Sequence, residues 1–163
     1  MTTVLRRPSV LIPIVVVLVS ALAVALYLFQ PWRLLTNVSV EEAAPSTTVI
    51  AQGEFVSHEN GTAGTAQVLQ LEDGSRVLRL EGLDTSNGPD LKVWLSDAPV
   101  IEGADGWFVF DDGAYADLGA LKGNQGSSNY AIPADVDLDE LTSVTIWCDR
   151  FSVSFGAAAL TSV

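Results

Sequence analysis

Twenty consecutive uncharged residues, VLIPIVVVLVSALAVALYLF from Val10 to Phe29, limit what this 163-residue chain can fold into. As a helix rising about 1.5 Å per residue, the run covers about 30 Å, the hydrocarbon thickness of a bilayer. Pro13 falls in the first turn of the run, where missing backbone donors are tolerated. Arg6 and Arg7 precede it, and Glu41 and Glu42 follow a short distance after it. That asymmetry predicts residues 1–9 in the cytoplasm, a single span over 10–29, and everything beyond it outside a plasma membrane. A cleaved signal peptide is the rival reading, because Ala21, Ala23 and Ala25 place small residues at alternate positions. Its apolar region is normally about 7 to 15 residues long and is followed by a polar stretch, which this sequence lacks. Either reading exports the rest of the chain.

Beyond the span, WRLLTNVSVEEAAPSTTVI carries no period and reads as a tether over residues 30–50. From Ala51 onward the pattern changes to short apolar or alternating runs. Strands are expected over 53–58, 65–71, 76–83, 90–96, 107–110, 129–132, 143–147 and 151–155. Asn60-Gly61, Asp73-Gly74, Asn87-Gly88-Pro89, Asp112-Gly113 and Asn124-Gln125-Gly126 supply the turn chemistry. Asp73-Gly74, between two alternating runs, is the clearest hairpin signal. The expected fold is all-β, a β-sandwich or jelly-roll-like domain over residues 51–163, preceded by one transmembrane helix.

The net charge is -12, and all the acidic residues except Glu41 and Glu42 fall from Ala51 onward. Nucleic acid is therefore excluded as a partner, since phosphate recognition needs a cationic surface. Scattered acids also keep an exported domain soluble. They leave calcium open, although the regular DxDxDG loop is missing.

Cys148 is the only cysteine and His58 the only histidine. Alternation sets Val144, Ile146 and Cys148 on one face of a strand, and Thr145, Trp147 and Asp149 on the other. A cysteine on an apolar face is ordinarily a small buried hydrophobe. A lone thiol in an oxidising compartment is instead a candidate redox group, intermolecular partner or metal ligand. Arg150 would lower its pKa if the two shared a face, and Asp149 would oppose that. Thiolate and imidazole both ligate haem, so Cys148 and His58 are candidate haem or metal ligands, although ninety residues separate them. The bland alternative for His58 is a strand-end histidine bonded to backbone. CxxCH, CxxC, GxSxG and HExxH are all missing, and Met1 is the only methionine. Covalent c-type haem, a dithiol redox centre, a zinc knuckle, Met/His haem ligation and motif-borne hydrolase chemistry are thereby set aside.

Four blocks, GEFVSHENGTAGTAQVL, DGSRVLRLEGLDTSNGPDLKVWLS, YADLGALKGNQGSSNYAIP and VTIWCDRFSVSFGAAAL, resemble in order and spacing the DM-thirteen domain family over residues 52–160. The resemblance implies a small extracellular β-rich module, often found beside DOMON domains. It also implies a role in electron transfer, with the cysteine of the IWC block acting as a naked thiol or attaching a group such as haem. Cys148 matches that cysteine, and His58 matches the histidine of the first block. These residues hold no DOMON domain and no histidine-bearing membrane bundle, so donor and acceptor are expected to be separate molecules. Two functions follow as expectations. One is a membrane-anchored extracytoplasmic redox module acting through Cys148 with a separate redox partner. The other is a non-catalytic surface binding module in which Cys148 only packs. The cofactor is not fixed: haem is compatible with the residues, and nothing in them requires it.

Overall fold

In the computed structural model, residues 8–163 are described. Arg6 and Arg7, on which the orientation of the span was read, lie outside that range. Helix α1 runs from Pro8 to Phe29. Its segment Leu11–Phe29 has a mean hydropathy of 2.8 and no buried residue, so it is long and apolar enough to cross a membrane. An N-terminal signal sequence meets the same two criteria. Because the helix begins at Pro8, Pro13 sits inside it rather than in its first turn. Gln30 ends the helix in a left-handed conformation (φ 41°), and Pro31 opens a short 3-10 helix, Pro31–Leu35.

Apart from a short 3-10 helix, Ala104–Gly106, the remainder of the described residues is all-β. Eleven strands follow: β1 (Ser39–Glu41), β2 (Thr48–Glu54), β3 (Val56–Ser57), β4 (Ala63–Gln70), β5 (Arg76–Asp84), β6 (Leu91–Ser96), β7 (Tyr115–Ala120), β8 (Gln125–Ile132), β9 (Ser143–Cys148), β10 (Val153–Ala159) and β11 (Thr161–Ser162). They form a six-stranded sheet ordered β1-β8-β5-β4-β2-β11 and a five-stranded sheet ordered β3-β10-β9-β6-β7. Leu78 and Leu80 of the first sheet share one apolar cluster with Val93, Leu95, Val144 and Ile146 of the second, so the expected sandwich is present. Asp73-Gly74 makes the expected hairpin: Gly74 has φ 83°, and the Ser75 amide and hydroxyl both donate to Asp73 Oδ1, at 2.9 and 2.6 Å.

Three departures bear on the site. The WFVF run at 107–110 is not a strand; it lies in the connection between β6 and β7, and Phe110 is fully buried against Trp147. The strand that pairs with β6 there is β7, along which exposed and half-buried residues alternate from Tyr115 to Leu118. Part of the expected tether is also folded: β1 pairs in parallel with β8, held by Glu42, which accepts from the Asn129 amide at 2.7 Å and from Lys122 Nζ at 2.8 Å.

The five-stranded sheet is covered on both faces. Val144, Ile146 and Cys148 point into the inter-sheet core, while Trp147, with Trp94, Phe110, Ala98 and Ala157, forms a second cluster on the outer face. Every residue of β9 is therefore buried. Burial on both faces also explains why LKVWLS reads as a nearly continuous apolar run rather than an alternating one.

Candidate functional site

Cys148 is the last residue of β9, with Leu91 of β6 and Val153 of β10 opposite it. It is 0% exposed. Burial drives its thiol pKa upward, and the Asp90 carboxylate adds to that direction. The main-chain N–H groups of Phe151, Arg150 and Asp90 pull the other way. Burial prevails, so the thiol is protonated at neutral pH. The turn behind it, Asp149–Ser152, is closed by Asp149 N donating to Asp90 O (3.0 Å) and Phe151 N donating to Cys148 O (3.2 Å). Ser152 holds a left-handed φ of 47°, an uncommon conformation for a residue with a Cβ.

Arg150 acts on the sulfur through its main-chain N–H, not through its charge. Its guanidinium reaches the end of α1, where Nη1 donates to Leu28 O at 2.9 Å and Tyr27 O at 3.3 Å. The acid that opposes ionisation is Asp90, across the strand pair, rather than the neighbouring Asp149.

His58 follows β3 and is 7% exposed. Its Nε2 lies 3.1 Å from Ile101 O, which can only accept, so that nitrogen carries the proton. Nδ1 then accepts from Ser154 Oγ at 2.8 Å, and Ser154 Oγ lies 2.8 Å from Thr145 Oγ1. Burial lowers the imidazole pKa, with the Ile101 carbonyl pulling the other way, and the ring is neutral at pH 7. Phe110 packs beside the ring at a centroid distance of 5.9 Å. Gly106 leaves room for it: a Cβ there would stand 2.0 Å from Ile101 O and 3.2 Å from His58 Nε2. The histidine–serine pair has the elements of a nucleophile and base, but Ser154 is 0% exposed and meets no substrate.

The two candidate ligands do not converge. His58 joins Thr145 through Ser154 on the outer face of the five-stranded sheet, whereas Cys148 faces the inter-sheet core. A haem held by both is incompatible with this arrangement. Neither residue alone presents a free ligand atom, since both imidazole nitrogens are engaged and the sulfur is sealed. Among the described residues, no three His, Cys, Asp or Glu side chains group closely enough to hold a metal ion.

Two features were missed in the sequence. One is an aromatic column on the outer face: Tyr115 stacks on Trp94 at 4.1 Å and Trp94 on Trp147 at 5.1 Å. The spacing of the two tryptophans across paired strands carried that signal, but the register that brings them together did not show in the text. The other is an apolar cleft of about 510 Å³ between the end of α1 and the sandwich. Phe29, Trp107, Phe108, Phe151 and Phe155 line it, together with Val153, the cross-strand partner of Cys148. A residue that lines the cleft thus lies directly across the strand pair from Cys148.

The family profile described as Electron transfer DM13 matches residues 54–160, which takes in most of both sheets, His58 and Cys148. No curated protein and no solved structure matches the chain. With about two thirds of its length covered by that profile, the chain belongs to the Electron transfer DM13 family.

Proposed function

We propose that this chain is a membrane-anchored, extracytoplasmic redox module in which Cys148 is the redox group and a separate protein supplies its partner. Family membership supports a redox-related role. The observation that carries the assignment to Cys148 is its place at the end of β9, directly across the strand pair from Val153, which lines the apolar cleft. In the closed domain the thiol is held protonated and unreactive. Opening of the Asp149–Ser152 turn would bring the sulfur to the cleft lined by Val153 and Phe151. With one cysteine in the chain, disulfide chemistry needs a thiol from another molecule. The two thiols lose two protons and two electrons to an external acceptor as the S–S bond forms.

Complete burial of Cys148 favours a second reading, a surface binding module whose cysteine only packs. Exposing the folded full-length chain to oxidised glutathione, followed by intact-mass measurement, separates the two. The redox reading expects a reversible glutathione adduct at Cys148 with the fold retained. An adduct that forms only on unfolding would leave the binding module.

A further inference from the structure

The sandwich is fastened to the end of α1. Arg150, in the turn after Cys148, donates to the last carbonyls of the helix, Tyr27 O and Leu28 O. Arg33, in the 3-10 helix that follows, donates to Gly88 O at 3.2 Å. Phe29 stacks on Phe151 with centroids 5.8 Å apart and rings 23° from parallel. Only Gln30 separates α1 from the 3-10 helix, so little slack intervenes between the apolar helix and the domain.

These contacts fix the level of the cleft. Phe29 is the last residue of the apolar segment and also lines the cleft, so a bilayer spanned by Leu11–Phe29 ends where the cleft begins. At that end, Trp32, Phe108 and Phe151 are 50%, 55% and 43% exposed, unusual for large aromatic rings in a water-facing domain. Amphipathic and aromatic rings are the residues that settle at the boundary between headgroups and acyl chains. The opposite end of the sandwich, the β4–β5 hairpin, presents Glu72 and Asp73 instead.

We propose that the α1-proximal end of the sandwich is a lipid-seated surface. Trp32, Phe108 and Phe151 enter the interfacial layer of the membrane that α1 spans, and the apolar cleft opens onto that layer. The occupant is zwitterionic lipid: Arg33 in the cleft and Arg150 in the adjoining turn are offset by Glu59 and Asp149, so this end has no cationic surplus for anionic headgroups. The inference rests on the reading of α1 as an uncleaved span. It also deepens the redox proposal, because it faces the Cys148 end of the domain toward partners embedded in the same membrane.

Nitroxide labels at Phe108→Cys, Phe151→Cys, Leu22→Cys and Glu72→Cys in the full-length chain, reconstituted in phosphatidylcholine nanodiscs, test it by power saturation. The wild-type chain gives the background from Cys148. Membrane-soluble oxygen is expected to relax positions 22, 108 and 151 more than a water-soluble nickel complex does, with the order reversed at 72. Arg33→Gln combined with Arg150→Gln, which removes the hydrogen bonds that tie the domain to α1 and the 3-10 helix, is expected to move 108 and 151 toward the nickel-favoured values and leave 22 unchanged. Nickel-favoured values at 108 and 151 alongside an oxygen-favoured 22 would overturn the seating while leaving the span intact. Nickel-favoured values at 22, or an intact mass lacking residues 1–29, would remove the span itself and the seating with it.

Discussion

The imidazole of His58 and the sulfur of Cys148 lie on opposite faces of the five-stranded sheet, one in an outer hydrogen-bond chain and the other in the inter-sheet core. Any chemistry at Cys148 therefore proceeds without the histidine, and the two residues are expected to respond to substitution independently.

Replacing Cys148 with serine puts a hydroxyl into an apolar cluster. The expected loss is about 1 to 3 kcal/mol of unfolding free energy, read by denaturant titration of the reconstituted chain. Cys148→Ala leaves no polar group behind and is expected to cost less. Equal losses would mean that the site satisfies the serine hydroxyl.

His58 couples stability to acid. Its folded pKa is lowered below the ordinary histidine value of about 6.5, so the unfolded chain binds the extra proton first. Its contribution is fully present above that pH and is lost as pH falls through the unfolded value toward the folded one. His58→Gln is expected to flatten this part of the stability profile, measured as denaturation midpoint against pH. An unchanged slope between about pH 6.5 and 5 would show that other groups set it.

Cys148 has the opposite sign. Its folded pKa is raised, so the native state keeps its proton when the unfolded thiol, near pH 8.5, has lost it. Stability is expected to be insensitive to this group below that pH and to fall above it, a decline that Cys148→Ala removes.

Gly106→Ala drives a Cβ into Ile101 O, the acceptor of the His58 Nε2 proton. Displacing a main-chain segment at a packed contact costs about 1 to 3 kcal/mol. A chemical-shift change at the His58 ring should accompany the loss and show that the two are linked.

How far this structure was legible in the sequence depended on what each signal needed. Alternation in SVTIWC placed Val144, Ile146 and Cys148 on one face, and Asp73-Gly74 placed the β4–β5 hairpin, because both signals are local. β1 leaves no mark in the sequence, since an edge strand of three residues has no period of its own and depends on Glu42 reaching Lys122 and Asn129 far along the chain. The WFVF run looks like a strand in sequence because a segment that covers an outer sheet face is as apolar as one inside a sheet. Whether His58 and Cys148 meet was beyond the text, since it turns on which face of one sheet each element reaches.

The most direct test of the central claim is the rate at which Cys148 in the folded, reconstituted chain forms a mixed disulfide as oxidised glutathione is raised. A slow, reversible reaction is expected, its rate levelling off at the rate of turn opening, with the far-ultraviolet spectrum unchanged. No adduct at any concentration short of denaturation would contradict it.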